Sequence, residues 1–317
     1  MAMAKDRGLL DYADKIAKHW PKFGQEGKED ITIADLMRHE CGLPVLVPPP
    51  SANDIQTDSI KNNVLGELIE NHKLNWPVEG RRQYHAISRG WIANEIFRRV
   101  DPQKRTMGEF LDQEIAKKLG VDVFIGCTKK NYFPVKDIPM STCVVQSIKK
   151  TFGLGSWSDF TFGQMFSMIP TLIDERFDMT GLSKDPAIKG MKGFDQFNDF
   201  DVRKSETSSA NGNCSARGLA RVGALMANKG EFEGVRLMSE DTWNAMHDKA
   251  TAGLLMPPLP LNVPFTQGGV ADFNDERAGW YGWLGYGGSV FQWHPNLKIG
   301  FGYTCTYLYG VSLPIEV

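Results

Sequence analysis

Apolar residues recur at helical spacing through much of the first half of the chain and alternate with small or polar residues near its end. Leu9, Leu10, Ala13, Ile16, Ala17 and Trp20 predict a short amphipathic helix that Pro21 stops, and Thr32 opens a second helix that runs to Gly42. Ile60, Val64, Leu65, Leu68 and Ile69 predict a further helix over 59–72, after a loop at Pro48-Pro49-Pro50-Ser51. Thr106-Met107-Gly108-Glu109 has the spacing of a capping box, in which a hydroxyl and a carboxylate satisfy each other's backbone N–H. Phe110, Leu111, Ile115 and Leu119 form the buried face behind it, and Gly120 stops the helix. Leu219, Val222, Leu225 and Met226 predict one more helix, which ends near Gly230.

The pattern changes at Gly282-Trp283-Leu284-Gly285-Tyr286-Gly287-Gly288-Ser289-Val290-Phe291, followed by Gln292-Trp293-His294-Pro295 and the run from Lys298 to Tyr303. This predicts a β-hairpin. Glycine weakens a strand, so its density here predicts a place where a ligand or another backbone comes close. The middle, from Asn131 to Asp201, is irregular and rich in Phe, Met and Gly. Its most apolar piece, Phe160 to Pro170, is read as core, because apolar stripes usually pack inward.

These elements describe one α+β unit over residues 1–317, with a mostly helical region from about residue 30 to 205 and a sheet-forming part from about 206 to 317. A net charge of −2 with mixed signs argues against a nucleic-acid partner. Five scattered cysteines lack the spacing of a disulfide framework or zinc site, and the six histidines do not cluster as metal ligands, so no cofactor or metal is expected. Cys41 sits beside Gly42 and Pro44 at a helix end and is read as buried and inert. No run reaches the ~20 apolar residues of a membrane span. The expected location of this chain is cytoplasmic, while a longer parent could carry a targeting signal.

Four blocks carry a resemblance: Asp35-Leu36-Met37-Arg38-His39-Glu40-Cys41-Gly42-Leu43-Pro44, Tyr84-His85-Ala86-Ile87-Ser88-Arg89-Gly90-Trp91, Ser209 to Arg217, and the segment at Gly282. In this order the chain resembles the serine β-lactamase-like and penicillin-binding-protein-like family. The likeness is to its class C branch, with family VIII esterase-like relatives and animal β-lactamase-domain proteins. The resemblance implies a β-lactamase/transpeptidase-like fold, an antiparallel sheet flanked by helices, here incomplete at both ends. It also implies ester or amide hydrolysis through an acyl-serine.

The nucleophile such proteins use is Ser-x-x-Lys at the start of a helix, where the lysine lies one turn from the hydroxyl. The chain has that pattern once, at Ser147-Ile148-Lys149-Lys150, after the Tyr84 block instead of before it, and it is read as a chance match. The opening residues Met1 to Asp11 resemble the tail of the nucleophile helix, so this chain is expected to be inactive, as a product of a longer parent. An alternative is a non-catalytic scaffold that self-associates.

By the same resemblance Tyr84 matches a tyrosine that moves protons to and from the nucleophile. A phenol, with a reference pKa near ~10, needs a nearby cation to act as a base at neutral pH. Without the family's lysine Tyr84 is expected to stay protonated, and a half-buried tyrosine with one hydrogen bond is the competing reading. His85 is expected to be satisfied by local hydrogen bonds. Trp283-Leu284-Gly285 takes the place of the family's third motif, which makes Trp283, Gly285 and Tyr286 the substrate-binding candidates, with the Tyr286 backbone N–H as an oxyanion donor. An indole cannot grip a carboxylate as lysine does, which points to neutral ester or small peptide-like substrates. The competing reading of Trp283 is a core aromatic on a sheet face.

Overall fold

The computed structural model describes residues 1–75, 82–128, 134, 136–137, 140–154, 163, 186–191, 194–256, 259–273, 277–285 and 288–308. The Phe160–Pro170 segment and Tyr286 therefore lie outside the described residues, apart from Gly163.

Thr32 caps helix α1 (Ile33–Met37). Its hydroxyl accepts from the Asp35 N–H at 3.1 Å, and the Asp35 carboxylate accepts from the Thr32 N–H at 2.9 Å. The helix stops five residues short of Gly42 because His39 takes a left-handed conformation, φ 66°, and its carbonyl accepts from the Gln83 N–H at 3.2 Å. A tertiary partner thus overrides local helical preference. The helix predicted over 59–72 is likewise divided, into Thr57–Lys61 and α2 (Val64–Asn71). Between them Asn63 has φ 64°, and its side-chain oxygen accepts from Arg98 and Arg99 at 2.6 Å each. Those arginines belong to α3 (Ser88–Val100), whose Trp91, Ile92 and Ile96 are fully buried. The helix predicted through Leu9 and Leu10 forms only at Ile16–His19.

The capping box at Thr106 and Glu109 is present, and the helical run behind it ends at Gly120, φ 60°. Beside it lies a buried carboxylate with no cation paired to it among the described residues. Glu206 accepts from Thr57 Oγ1 at 2.7 Å, Thr106 Oγ1 at 2.6 Å, the Gly108 N–H at 3.0 Å and Asn94 Nδ2 at 3.2 Å. Those four donors satisfy a charge that burial alone would penalise by several kcal/mol.

Later in the chain come α4 (Ala216–Ala227), capped by Ser215, and α5 (Glu240–His247), capped by Ser239. The sheet is an antiparallel meander of β1 (Ala271–Asp272), β2 (Tyr281–Leu284), β3 (Val290–His294) and β4 (Ile299–Tyr303), in spatial order β4-β3-β2-β1. Helix α4 lies on β4 with no side chains between them. A Cβ at Gly300 would meet the Ala224 nitrogen at 2.0 Å, and one at Gly302 would meet the Ala220 nitrogen at 2.6 Å. At Gly282, φ 130°, a Cβ would stand 2.1 Å from the Phe291 carbonyl oxygen. Gly282, Gly300 and Gly302 therefore mark contacts between backbones.

On the other side of β4, Ile299, Phe301 and Tyr303 are exposed, and among the described residues this strand pairs only with β3. One large core runs from Met3 to Trp293. A second, small cluster of Phe265 and Ala271 gathers Tyr84, Val263, Phe273 and Trp283. It joins the helical region to the sheet.

Candidate active site

The segment before α3 carries Tyr84, and its shape follows from hydrogen bonds to the turn after α1. The His85 N–H donates to His39 Nδ1 at 3.0 Å, and Ser88 Oγ donates to the carbonyls of Leu43 and Pro44 at 2.6 and 3.0 Å. Arg82 ties the same segment to the strand region. Its Nη1 donates to the Val263 carbonyl at 3.0 Å and its Nη2 to Glu40 Oε1 at 2.8 Å and the Thr251 carbonyl at 2.6 Å. Burial would raise the Glu40 carboxyl, but bonds from Thr251, Arg38 and Arg82 outweigh it and hold the group below its ordinary range.

His85 is a satisfied histidine, although only one of its two partners is local as expected and the other lies 42 positions away. Nδ1 faces the Gln83 carbonyl at 2.6 Å, and Nε2 accepts from the Leu43 N–H at 3.0 Å. Burial lowers its pKa to about 3, so the ring is neutral. Cys41 Sγ lies 3.2 Å from the same Nε2, fully buried, and burial pushes the thiol up to about 12. A protonated, enclosed thiol is a poor nucleophile.

Tyr84 meets Trp283 across the cluster. The indole Nε1 donates to the phenolic oxygen at 2.9 Å, and the rings are tilted with centroids 5.7 Å apart. Phe265 packs against Trp283 at 5.1 Å and against His39 at 4.9 Å, and His39 lies 4.9 Å from Tyr84. The phenol thus accepts a hydrogen bond instead of only giving one. Burial raises its pKa, while the Arg89 charge and the Trp283 N–H oppose the rise.

Arg89 reaches the cluster from the first turn of α3. Its Nη1 donates to the carbonyls of Met37 at 3.1 Å and Gly269 at 3.4 Å, and lies 2.9 Å from His39 Nε2. Burial depresses its pKa and the Tyr84 phenol opposes that. A guanidinium still stays charged at neutral pH. His39 has donors at both ring nitrogens, whereas a neutral imidazole has one bare nitrogen, so one of the two N–H groups lacks an acceptor there. Burial, then Arg89, keep His39 far below the usual histidine range.

The structure brings Tyr84 and Trp283 together. Gly285 is exposed, and its N–H donates to the Ser289 carbonyl at 2.6 Å. Ser147 is buried on the helix Met140–Thr151. Sequence reading missed His39, Arg89 and Phe265 as parts of this cluster. The first two stood in the quoted blocks, but only folding shows that they converge, and nothing in the pattern singles out Phe265. Among the described residues no three His, Cys, Asp or Glu side chains are grouped to hold a metal, and no helix is long and apolar enough to cross a membrane.

Residues 1–126 match the protein family described as Beta-lactamase. The chain is 27% identical over 308 residues to the esterase/β-lactamase LipL of Mycobacterium tuberculosis, a match covering 93% of this chain and 63% of that protein. The chain thus spans under two thirds of the length of this curated relative. Among solved structures it is similar to a family VIII carboxylesterase, with TM-score 0.73 and 20% identity over 98% of this chain and 74% of the other. EstA from Arthrobacter nitroguajacolicus gives 0.72 and 22% identity, covering 98% and 77%. A penicillin-binding protein homologue from Caulobacter crescentus gives 0.69 and 22%, covering 98% and 74%. The fold is of the β-lactamase/transpeptidase-like kind, helices with an antiparallel sheet.

Proposed function

We propose that this chain carries the tyrosine and strand side of an acyl-transfer site of the serine-hydrolase kind, suited to neutral esters or small peptide-like amides, and that these 317 residues alone form no acyl-enzyme. The observation that carries the reading is the 2.9 Å bond from Trp283 Nε1 to the Tyr84 oxygen, which joins the second and fourth sequence blocks across 199 positions. Tyr84 is the group that moves a proton. Trp283, its one N–H taken up by the Tyr84 oxygen, presents a flat apolar face on which an ester or acyl group packs better than a carboxylate. Gly285, at the end of β2, borders the substrate on the strand side.

The chain's one Ser-x-x-Lys pattern begins at a buried serine far from the Tyr84 block in sequence, which supports a missing nucleophile. Loss of a nucleophile removes catalysis by a factor of at least about 10³. Incubation with a fluorophosphonate probe should leave every serine unlabelled, and stoichiometric labelling, at Ser147 in particular, would overturn the inactivity. For specificity, the Trp283 indole N–H resonance should shift on titration with a short-chain neutral ester and not with a penicillin. Tighter penicillin binding, or an ester response unchanged in Trp283→Lys, counts against the assignment.

A second reading, a self-associating scaffold on the same fold, is favoured by one observation. Ile299, Phe301 and Tyr303 line one exposed face of β4, whose free edge has no partner among the described residues.

A further inference from the structure

The charged groups around Tyr84 are unevenly matched. From the turn after α1 come His39, neutral, and Glu40, whose carboxylate is taken up by Arg38, Arg82 and Thr251. From its own segment come His85, neutral, and Arg82, paired with Glu40. From the sheet come the Trp283 N–H and, on β1, Asp272, whose charge acts on Tyr281. Arg89 alone among these cations meets no carboxylate within the described residues. It is held by two backbone carbonyls and His39 Nε2.

Arg89 is partly buried, and a cation withdrawn from water even in part is costly to hold without an anion, because neutral acceptors replace only part of its hydration. The Tyr84 phenol lies close by through His39, whose Nε2 is 2.9 Å from Arg89 Nη1 and whose ring centroid is 4.9 Å from that of Tyr84. Its oxygen already accepts from Trp283, and among the described residues no acceptor is recorded for its own proton. Losing that proton would give Arg89 the negative partner it lacks, with the indole N–H as a second support.

We propose that Arg89 is the positioning residue that supplies positive potential at the Tyr84 oxygen, so that the phenol can give up and take back a proton within a partly buried site that disfavours its charged form. The arrangement rests on the reading of Tyr84 as a proton-transfer group, and it names a cation within this chain for a task that sequence reasoning had left without one. Arg89 touches no substrate. It acts through Tyr84, fixed by Met37, Gly269 and His39 so that its charge is present before any ligand arrives.

The test measures the phenol itself. The protein is produced with 3,5-difluorotyrosine, whose lower intrinsic pKa brings ionisation into a range where proteins stay folded. The Tyr84 fluorine resonance is assigned by its loss in Tyr84→Phe and followed against pH. In Arg89→Gln its midpoint should rise by roughly 1–3 pH units, the usual effect of one close opposite charge. In Arg89→Lys it should fall between the native and Gln values. Coincident midpoints in native protein and Arg89→Gln would overturn the proposal.

A measurement on the native chain guards against a variant that does not fold. The Arg89 guanidinium nitrogen resonances should move with the same midpoint as Tyr84, and resonances that stay fixed through the Tyr84 transition would overturn the proposal equally. Failure of the functional reading is visible separately. It appears as absence of any ester-induced shift at the Trp283 N–H, while the titration result stands or falls alone.

Discussion

Trp283 donates its indole N–H to the phenolic oxygen of Tyr84 at 2.9 Å, and through this bond the sheet and the helical region share a polar contact inside an aromatic cluster. Trp283→Phe keeps a ring at the site and removes the donor. It should cost about 0.5–1.5 kcal/mol for the hydrogen bond, with a further loss from the smaller ring. In a double-mutant cycle with Tyr84→Phe the two costs should fail to add, as expected for groups in direct contact. Denaturant unfolding checks this, and strict additivity would show that the bond contributes nothing to stability.

Acid should destabilise the fold before its carboxylates titrate. Burial holds His85 at about 3 and His247 at about 4, both below the ordinary histidine value near 6.5. Below that value the unfolded chain binds protons that the folded chain refuses, so stability is full above it and falls as the pH drops towards the folded values. Each histidine contributes a slope approaching 1.4 kcal/mol per pH unit. Between about pH 6 and 5 these two should approach 2.7 kcal/mol per unit, and His39, which burial also holds well below its ordinary value, adds to that slope. His247→Gln should lower the measured slope by one histidine's share, up to about 1.4 kcal/mol per pH unit, and a flat stability profile over this interval would contradict the assignment.

The contact of α4 with β4 leaves no space for one methyl group. Gly300→Ala would place a Cβ 2.0 Å from the Ala224 nitrogen, so the helix must lift from the sheet. A loss of about 3 kcal/mol or more is expected, at the upper end for overpacking, because the clash is with backbone that cannot rotate away. Gly212→Ala is the control. Nothing lies within 4 Å of its added Cβ, and its effect should stay within about 0.5 kcal/mol. Equal melting temperatures for the two variants would refute the packing described.

The exposed row of Ile299, Phe301 and Tyr303 on a strand with a free edge should make association concentration-dependent. Sedimentation velocity over a wide concentration range should show it, and Phe301→Lys should weaken it by placing a charge in the row. A native chain that stays monomeric throughout would remove this face as a self-association surface.

Much of the fold could be read from local chemistry. The capping box at Thr106 and Glu109 needs only residues three apart, and it forms as its spacing requires. The end at Gly120 is equally local, since glycine accepts the left-handed conformation without a Cβ penalty. The breaks at His39 and Asn63 were illegible. Each is set by partners distant in sequence, the Gln83 N–H for one and the Arg98 and Arg99 guanidinium groups for the other.

The site divides in the same way. Tyr84 and Trp283 stood out as members of quoted blocks, but the direction of their bond, with the phenol accepting, required coordinates. The glycines near the chain's end announced a close approach and could not say to what. The answer is the backbone of α4 and the neighbouring strand. Arg89 stood in a quoted block without a role, and only its carbonyl and histidine neighbours show that it meets no carboxylate among the described residues.

Glu206 also sets an order of events during synthesis. Its four donors, on Thr57, Asn94, Thr106 and Gly108, precede it by 149, 112, 98 and 100 positions in the pairs with Thr57, Asn94, Gly108 and Thr106 respectively. A ribosome building from the N-terminus therefore releases all four groups long before their shared acceptor exists. The helical region is left with polar gaps in its interior until residue 206 arrives. That late carboxylate closes the region, which makes the chain between 108 and 206 a span that must be made before the first hundred residues can settle.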